Sequence, residues 1–171
     1  MAIAKKILNF LDKNETKYRI VEHKKVYTAI DKARTLKMKD SLVGKTVVLK
    51  ADRDYFILLM AADKIIDKVK IKKILSQWRK KNNQKVFKKI DFAKEKWIKE
   101  NLKGAKMGSV PPFGVIWGIE TICDDSFLRN KKILINSGDH YSSLEMTSSN
   151  FKKILPEMIK GSFSKKRKKK K

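Results

Sequence analysis

Cysteine is almost absent: Cys123 is the one thiol in 171 residues. A single cysteine forms no intramolecular disulfide and no CxxC metal site, and it suits a reducing compartment. Histidine is nearly as scarce, with only His23 and His140, and no HxxxH, GxSxG or GxxxxGK[ST] pattern occurs. Zinc hydrolysis, serine-hydrolase chemistry and P-loop nucleotide chemistry are therefore poorly supplied, and the sequence asks for no metal and no cofactor. Cys123 and His140 could pair as nucleophile and base, but Cys123 ends an apolar run, where a free cysteine is usually core. His23 has no partner in view and reads as structural or solvated. No apolar run approaches the length of a membrane span. Met1 to Asn14 alternates apolar and charged residues where a signal peptide needs an unbroken apolar centre, so a cytoplasmic location is expected. Acidic side chains are also few, 18 against 43 Lys and Arg, for a net charge of +25. Such an excess favours a polyanionic partner, because neutralised phosphates release counterions; nucleic acid comes first and a membrane surface second.

What is present suffices for one globular domain, with 42% hydrophobic residues. The expected organisation is a domain over residues 1–160 and a disordered polybasic tail over 161–171. Lys165 to Lys171 are all basic, and removing them takes +25 to +18, so the body is basic by itself. Like charges repel and nothing in the run can be buried, which is why disorder is expected there. A solvated end, a working nucleic-acid arm and a nuclear address are the three readings of that tail.

Ile3, Ile7, Leu8 and Leu11 predict an amphipathic helix over 3–13, and Tyr18 to His23 a short strand. Thr28 with Asp31 three residues on predicts a capped helix reaching Met38. Leu42 to Lys50 and Tyr55 to Met60, joined by Asp52-Arg53-Asp54, predict a hairpin. A basic helix starts at Asp67, and Arg79 to Lys89 is an exposed basic connector. Asp91 is expected to cap a helix through Leu102 with Phe92, Trp97 and Ile98 inward and Gly104 at its end. Val115 to Cys123 reads as a strand bent at Gly118, followed by strands over 132–135 and 141–146 and a helix over 148–159. This order argues α+β, with a mixed or largely antiparallel sheet.

Met107 to Gly114 reads Met-Gly-Ser-Val-Pro-Pro-Phe-Gly and holds two of three prolines and two of seven glycines. It is stiff in the middle and permissive at both ends. Two readings are open: a rigid connector, or a loop presenting carbonyls and the amides of Gly108 and Ser109 to a ligand. Lys45 poses a similar choice, because a lysine in an apolar strand is either an edge charge that discourages aggregation or a cation held toward a pocket.

Four stretches, taken in order and spacing, resemble the YbaK and prolyl-tRNA-synthetase-associated family of aminoacyl-tRNA deacylases. They are Val26-Tyr27-Thr28-Ala29, Gly44-Lys45-Thr46-Val47-Val48-Leu49, Gly108-Ser109-Val110-Pro111-Pro112-Phe113-Gly114 and Asn136-Ser137-Gly138-Asp139-His140. Ala61-Ala62-Asp63 through Asp67 resembles the family's link from hairpin to helix. The likeness spans residues 18–155 and implies a barrel-like, largely antiparallel mixed sheet surrounded by helices. It implies hydrolysis of the ester of a mischarged tRNA, of the alanyl- or cysteinyl-tRNA(Pro) type, without metal or covalent nucleophile. It implies catalytic roles for Lys45 and Gly108. It implies substrate contacts from Tyr27, Thr28, Thr46, Ser109, Val110, Pro111, Gly138, Asp139 and His140, with the Gly108 loop as the wall of the pocket that Lys45 faces. The partners it implies are tRNA and prolyl-tRNA synthetase. Thr46, where members carry other polar residues, bears on which amino acid is removed. Two competing readings are a catalytically inactive tRNA-binding or synthetase-associated module of the same fold, and a general RNA or membrane-surface binder driven by the tail.

Overall fold

The computed structural model describes residues 3–167. It opens with α1 (Lys5–Lys13), which turns Ile7 and Leu11 inward and its lysines outward. Strand β1 (Arg19–Glu22) follows, then α2 (Ala29–Thr35), whose N-terminus is closed by the Thr28 hydroxyl accepting from the Asp31 N–H at 3.1 Å. The helix stops short of Met38, with Leu36 as its cap and Lys37 at φ 53°. The hairpin is β2 (Gly44–Ala51) and β3 (Asp54–Ala61), paired residue for residue from Gly44↔Ala61 to Ala51↔Asp54. A short β4 (Lys64–Ile66) precedes α3 (Lys68–Lys81), and the Asp67 carboxylate accepts from the Val69 and Lys70 amides at the start of that helix.

Beyond α3 the structure departs from expectation: the last helix ends at Ile154 rather than 159, and Ile159 starts a strand. Asp91 does not cap a helix: it lies in β5 (Ile90–Phe92), paired with Lys50, and α4 (Glu95–Asn101) begins four residues later. Phe92 is consequently 56% exposed, while Ile98 is buried in a third apolar cluster with Val48, Ile57, Leu102 and Val110, against which Trp97 packs, stacked on Tyr55 at 3.5 Å between ring centroids. The apolar run after the proline loop is not one bent strand but a 3₁₀ turn (Gly114–Trp117), the left-handed Gly118, and β6 (Glu120–Asp124). After α5 (Asp125–Leu128) come β7 (Lys132–Asn136), β8 (Ser142–Thr147), α6 (Ser148–Ile154), β9 (Ile159–Gly161) and β10 (Ser164–Lys166).

The strands form a five-stranded sheet in the order β5-β2-β3-β6-β9, a three-stranded sheet β1-β8-β7 and the pair β10-β4. Pairing is antiparallel except for β3–β6 and β6–β9. The result is the mixed α+β architecture read from the sequence, and no sheet closes into a barrel among the described residues. A single parallel bridge, Val43↔Leu134, links the two larger sheets. One apolar core lies between the sheets, α1, α5 and α6, around Leu59, Phe113, Phe127 and Phe151. A second, under α3, gathers Leu58, Met60, Leu75, Phe87 and Phe163.

The expected tail from 161 onward also comes out differently. Gly161 ends β9, and β10 pairs with β4 in the register Ser164↔Ile66 to Lys166↔Lys64. A buried acid explains how this basic segment is held: Asp124 Oδ2 accepts from the Phe163 and Ser164 amides at 3.0 and 2.8 Å. Burial raises the proton affinity of that carboxyl, but donors from Ser126, Phe163 and Ser164 outweigh the effect and hold its pKa below the ordinary value. The remainder of the expected tail, 168–171, lies outside the described residues.

Candidate functional site

The proline loop is fixed along most of its length. Ser109 to Gly114 are buried, and the Phe113 ring packs 5.3 Å from Phe10 and 6.2 Å from Phe151. The Ser109 N–H, which one of the two readings offered to a ligand, donates back to the Lys106 carbonyl at 2.9 Å. The Thr121 hydroxyl donates to the Pro112 carbonyl at 3.1 Å and accepts from the Gly114 N–H at 3.0 Å. A Cβ at Gly114 would collide with the Ile119 carbonyl, so only glycine fits there. Gly108 is exposed at φ +81°, and a Cβ on it would come 3.1 Å from the Tyr27 carbonyl. Its own N–H makes no hydrogen bond among the described residues.

A second loop, residues 137–140, is stitched to the first. Lys106 donates its amide to the Gly138 carbonyl at 2.9 Å and its ammonium to Asp139 Oδ1 at 3.0 Å. Asp139, 1% exposed, also accepts from the Tyr141 amide through Oδ2 at 3.1 Å. His140 Nε2 lies 2.6 Å from the Met107 carbonyl. A carbonyl only accepts, so that nitrogen carries the proton, and His140 here is a tie between loops rather than an exposed base. The Tyr27 ring, 61% exposed, packs edge-on to His140 at 5.1 Å. Tyr27, Gly108, Asp139 and His140 are thereby brought together, while Thr28 serves as the cap of α2.

Strand β2 divides Lys45 from Thr46. Side chains alternate along a strand, so Gly44, Thr46 and Val48 leave on one face and Lys45, Val47 and Leu49 on the other. Thr46 reaches the proline loop and donates its hydroxyl to the Val110 carbonyl at 2.6 Å. Lys45 pairs in register with Met60 and turns toward the second core, not toward the loop expected to wall its pocket. Its pKa is lowered, first by burial and then by the charge of Arg167, with Asp63 opposing. On the Thr46 face a cleft of about 250 Å³ is lined by Thr46, Val48, Ile98, Met107, Gly108 and Val110. Cys123 lies in the first core, where burial raises its thiol pKa well above the ordinary value, so it is no nucleophile. Among the described residues no three His, Cys, Asp or Glu side chains are grouped to hold a metal, and no helix is long and apolar enough to cross a membrane.

With this geometry in place, residues 23–154 match the aminoacyl-tRNA editing domain family. The chain belongs to that family. Solved structures agree on the fold of this editing domain. One, hypothetical protein APE2540, superposes with a TM-score of 0.78 at 16% identity over 94% of this chain and 100% of its own. Another, provisionally described as a trans-editing enzyme for prolyl-tRNA synthetase, gives 0.77 at 15% identity over 96% and 98% of the two chains. A signal transduction protein from Marinobacter aquaeolei, provisionally so described, gives 0.68 at 11% identity, over 94% of this chain and 30% of its own. No curated protein matches the chain.

The editing domain also contains polar residues to which sequence reasoning assigned no role. Lys32 of α2 is 4% exposed, and its ammonium donates to Asn136 Oδ1 at 2.6 Å. The Asn136 amide nitrogen lies 3.0 Å from Thr46 Oγ1 and 3.3 Å from the Val110 carbonyl. Burial alone lowers the Lys32 pKa, to about 8. Lys106 is the third such residue, tied to Asp139 as above. Asn136 opens one of the four stretches that carry the resemblance but had no role assigned to it, and Lys32 and Lys106 lie in no motif, because each is a common residue type whose partner lies tens of residues away.

Proposed function

We propose that this editing domain is a trans-editing deacylase that hydrolyses the ester of a mischarged tRNA, of the alanyl- or cysteinyl-tRNA(Pro) type. The observation that carries this reading is the small cleft between β2 and a proline loop held in place by Thr46 and Asn136, open at the Gly108 amide, which is unpaired among the described residues. At about 250 Å³ the cleft falls below the range of roughly 300–1,000 Å³ typical of sites for drug-sized ligands, a size that suits an aminoacyl group. A second sieve of this kind is useful because a missing methylene in a synthetic site is worth only about 1–3 kcal/mol.

In this mechanism the Gly108 N–H meets the ester carbonyl oxygen as negative charge develops on it. A water attacks the carbonyl carbon, helped by a ribose hydroxyl of the substrate, and the bond to the ribose oxygen breaks. That oxygen takes the proton, leaving a free amino acid and an uncharged tRNA. Lys45, on the other face of β2, offers its charge to the terminal phosphate. The test is single-turnover hydrolysis of a panel of mischarged tRNAs, alanyl- and cysteinyl-tRNA(Pro) first. Release of one amino acid well above the rate without protein supports the proposal. Tight tRNA binding with no release across the panel selects the inactive tRNA-binding module instead, a reading favoured by the separation of Lys45 from the proline loop.

A further inference from the structure

We propose that Lys32 is a positioning residue: its buried ammonium fixes the orientation of the Asn136 amide, and that amide holds the proline loop where the substrate must meet it. The inference rests on the deacylase reading, but its physical content is a clamp that can be measured without substrate.

Lys32 lies in α2 beside Ala33, which packs into an apolar cluster with Val43, Ala62 and Leu134. A buried ammonium is costly, and carboxylates usually compensate it. Here the single hydrogen-bond partner among the described residues is an amide oxygen, and burial is the sole cause of the altered pKa. Packing alone would be served as well by leucine or methionine.

Donor and acceptor chemistry shows what the ammonium accomplishes. An ammonium only donates, so Asn136 must turn Oδ1 toward Lys32 and its NH₂ toward β2 and the loop. The NH₂ then donates to Thr46 Oγ1 and to the Val110 carbonyl. Thr46, having accepted, has its own hydrogen free for the same carbonyl at 2.6 Å. With the amide reversed, Oδ1 would face the Val110 oxygen, acceptor against acceptor, and the NH₂ would face the ammonium. The direction of the whole chain, from α2 through β7 and β2 to the loop, is therefore set at Lys32. Val110 is two residues from Gly108, so a shift there moves the amide proposed to meet the ester.

Two variants separate this role from simple support of the fold. Asn136→Asp keeps an acceptor for Lys32, now as an ion pair, but removes the donor to Val110. Lys32→Met removes the ammonium and leaves an apolar chain of similar length in an apolar setting. Both are expected to stay folded, Lys32→Met because it removes a buried charge and Asn136→Asp because it pairs that charge, and the melting temperature of each is read beside its rate. In both, hydrogen exchange of the Ser109 amide is expected to speed up, and kcat to fall on the order of 10- to 100-fold with KM little changed, since small misplacements of reacting groups cost rates of that size. Exchange by mass spectrometry is read on the free protein. If the parent hydrolyses no mischarged tRNA the deacylase reading falls, while the exchange comparison still decides the clamp. Folded variants with the parent's exchange in residues 107–114 overturn the proposal. So do variants whose kcat falls only as far as their melting temperature does.

Discussion

A lysine whose burial lowers its pKa to about 8 leaves a signature in stability that no exposed lysine gives. The unfolded chain keeps the Lys32 proton up to the ordinary value of 10.5, while the folded chain releases it near 8. Between those values the unfolded state binds more protons, so stability rises with pH, by up to about 3 kcal/mol across the window. Below pH 8 the charge is buried and its full cost is present. Denaturant melts of the parent and Lys32→Met at pH 7, 8, 9 and 10 should show the parent gaining on the variant from pH 8 upward. Parallel curves would show that the ammonium reaches water. Lys45 gives a second prediction at this scale. As the proposed phosphate contact it should lower kcat/KM by about 10- to 100-fold when changed to Ala, the worth of one hydrogen bond to a charged group, with the melting temperature unchanged. A parent-like kcat/KM in a folded Lys45→Ala protein would remove it from the site.

Among the elements, β10 is the one whose position depends most on a single side chain. Asp124 caps α5 through Ser126 and takes two amides from the segment that leads into β10. Asp124→Ala leaves those donors buried without an acceptor, and should cost about 3 kcal/mol, a fall in Tm of roughly 6–12 °C for a chain of this length. Early proteolytic cleavage near residues 161–166 should accompany it; an uncut C-terminal segment and an unchanged Tm would show that β4 alone holds β10. Elements whose determinants are local were legible in the sequence. Thr28 caps the helix it was expected to cap, and Asp67, where a helix was expected to start, caps α3, because an N-cap needs only residues two or three positions on. Asp91 has the same chemistry, but β2 offered Ala51, Lys50 and Leu49 as ladder partners, and pairing across forty residues overrode the local preference. The site divides similarly. The glycine and proline loops were readable from composition, whereas the Lys32–Asn136 bond joins residues 104 apart and carries no sequence pattern.

For the molecule as a whole, +25 on 171 residues predicts tRNA binding that weakens steeply with salt. The run of lysines at the end can be tested by removing 168–171, which lie beyond β10 in the sequence. Each lost phosphate contact should flatten the plot of log affinity against log salt by about 0.7–0.9, so the slope changes by at most about 3–4, with the single-turnover rate at saturating protein unchanged. A rate that falls along with affinity would place those lysines in the chemical step. The pairing of β10 with β4 has one more effect. It brings Arg167 near enough for its charge to loosen the proton on Lys45, with Asp63 only partly opposing. An incoming phosphate would reverse that influence and tighten the proton's hold. Above the lowered pKa of Lys45, tRNA association should therefore draw a proton from solution. Titration calorimetry at alkaline pH, repeated in buffers of different ionisation heat, should give binding enthalpies that differ from buffer to buffer. The same series well below the lowered pKa of Lys45 should give the smaller spread.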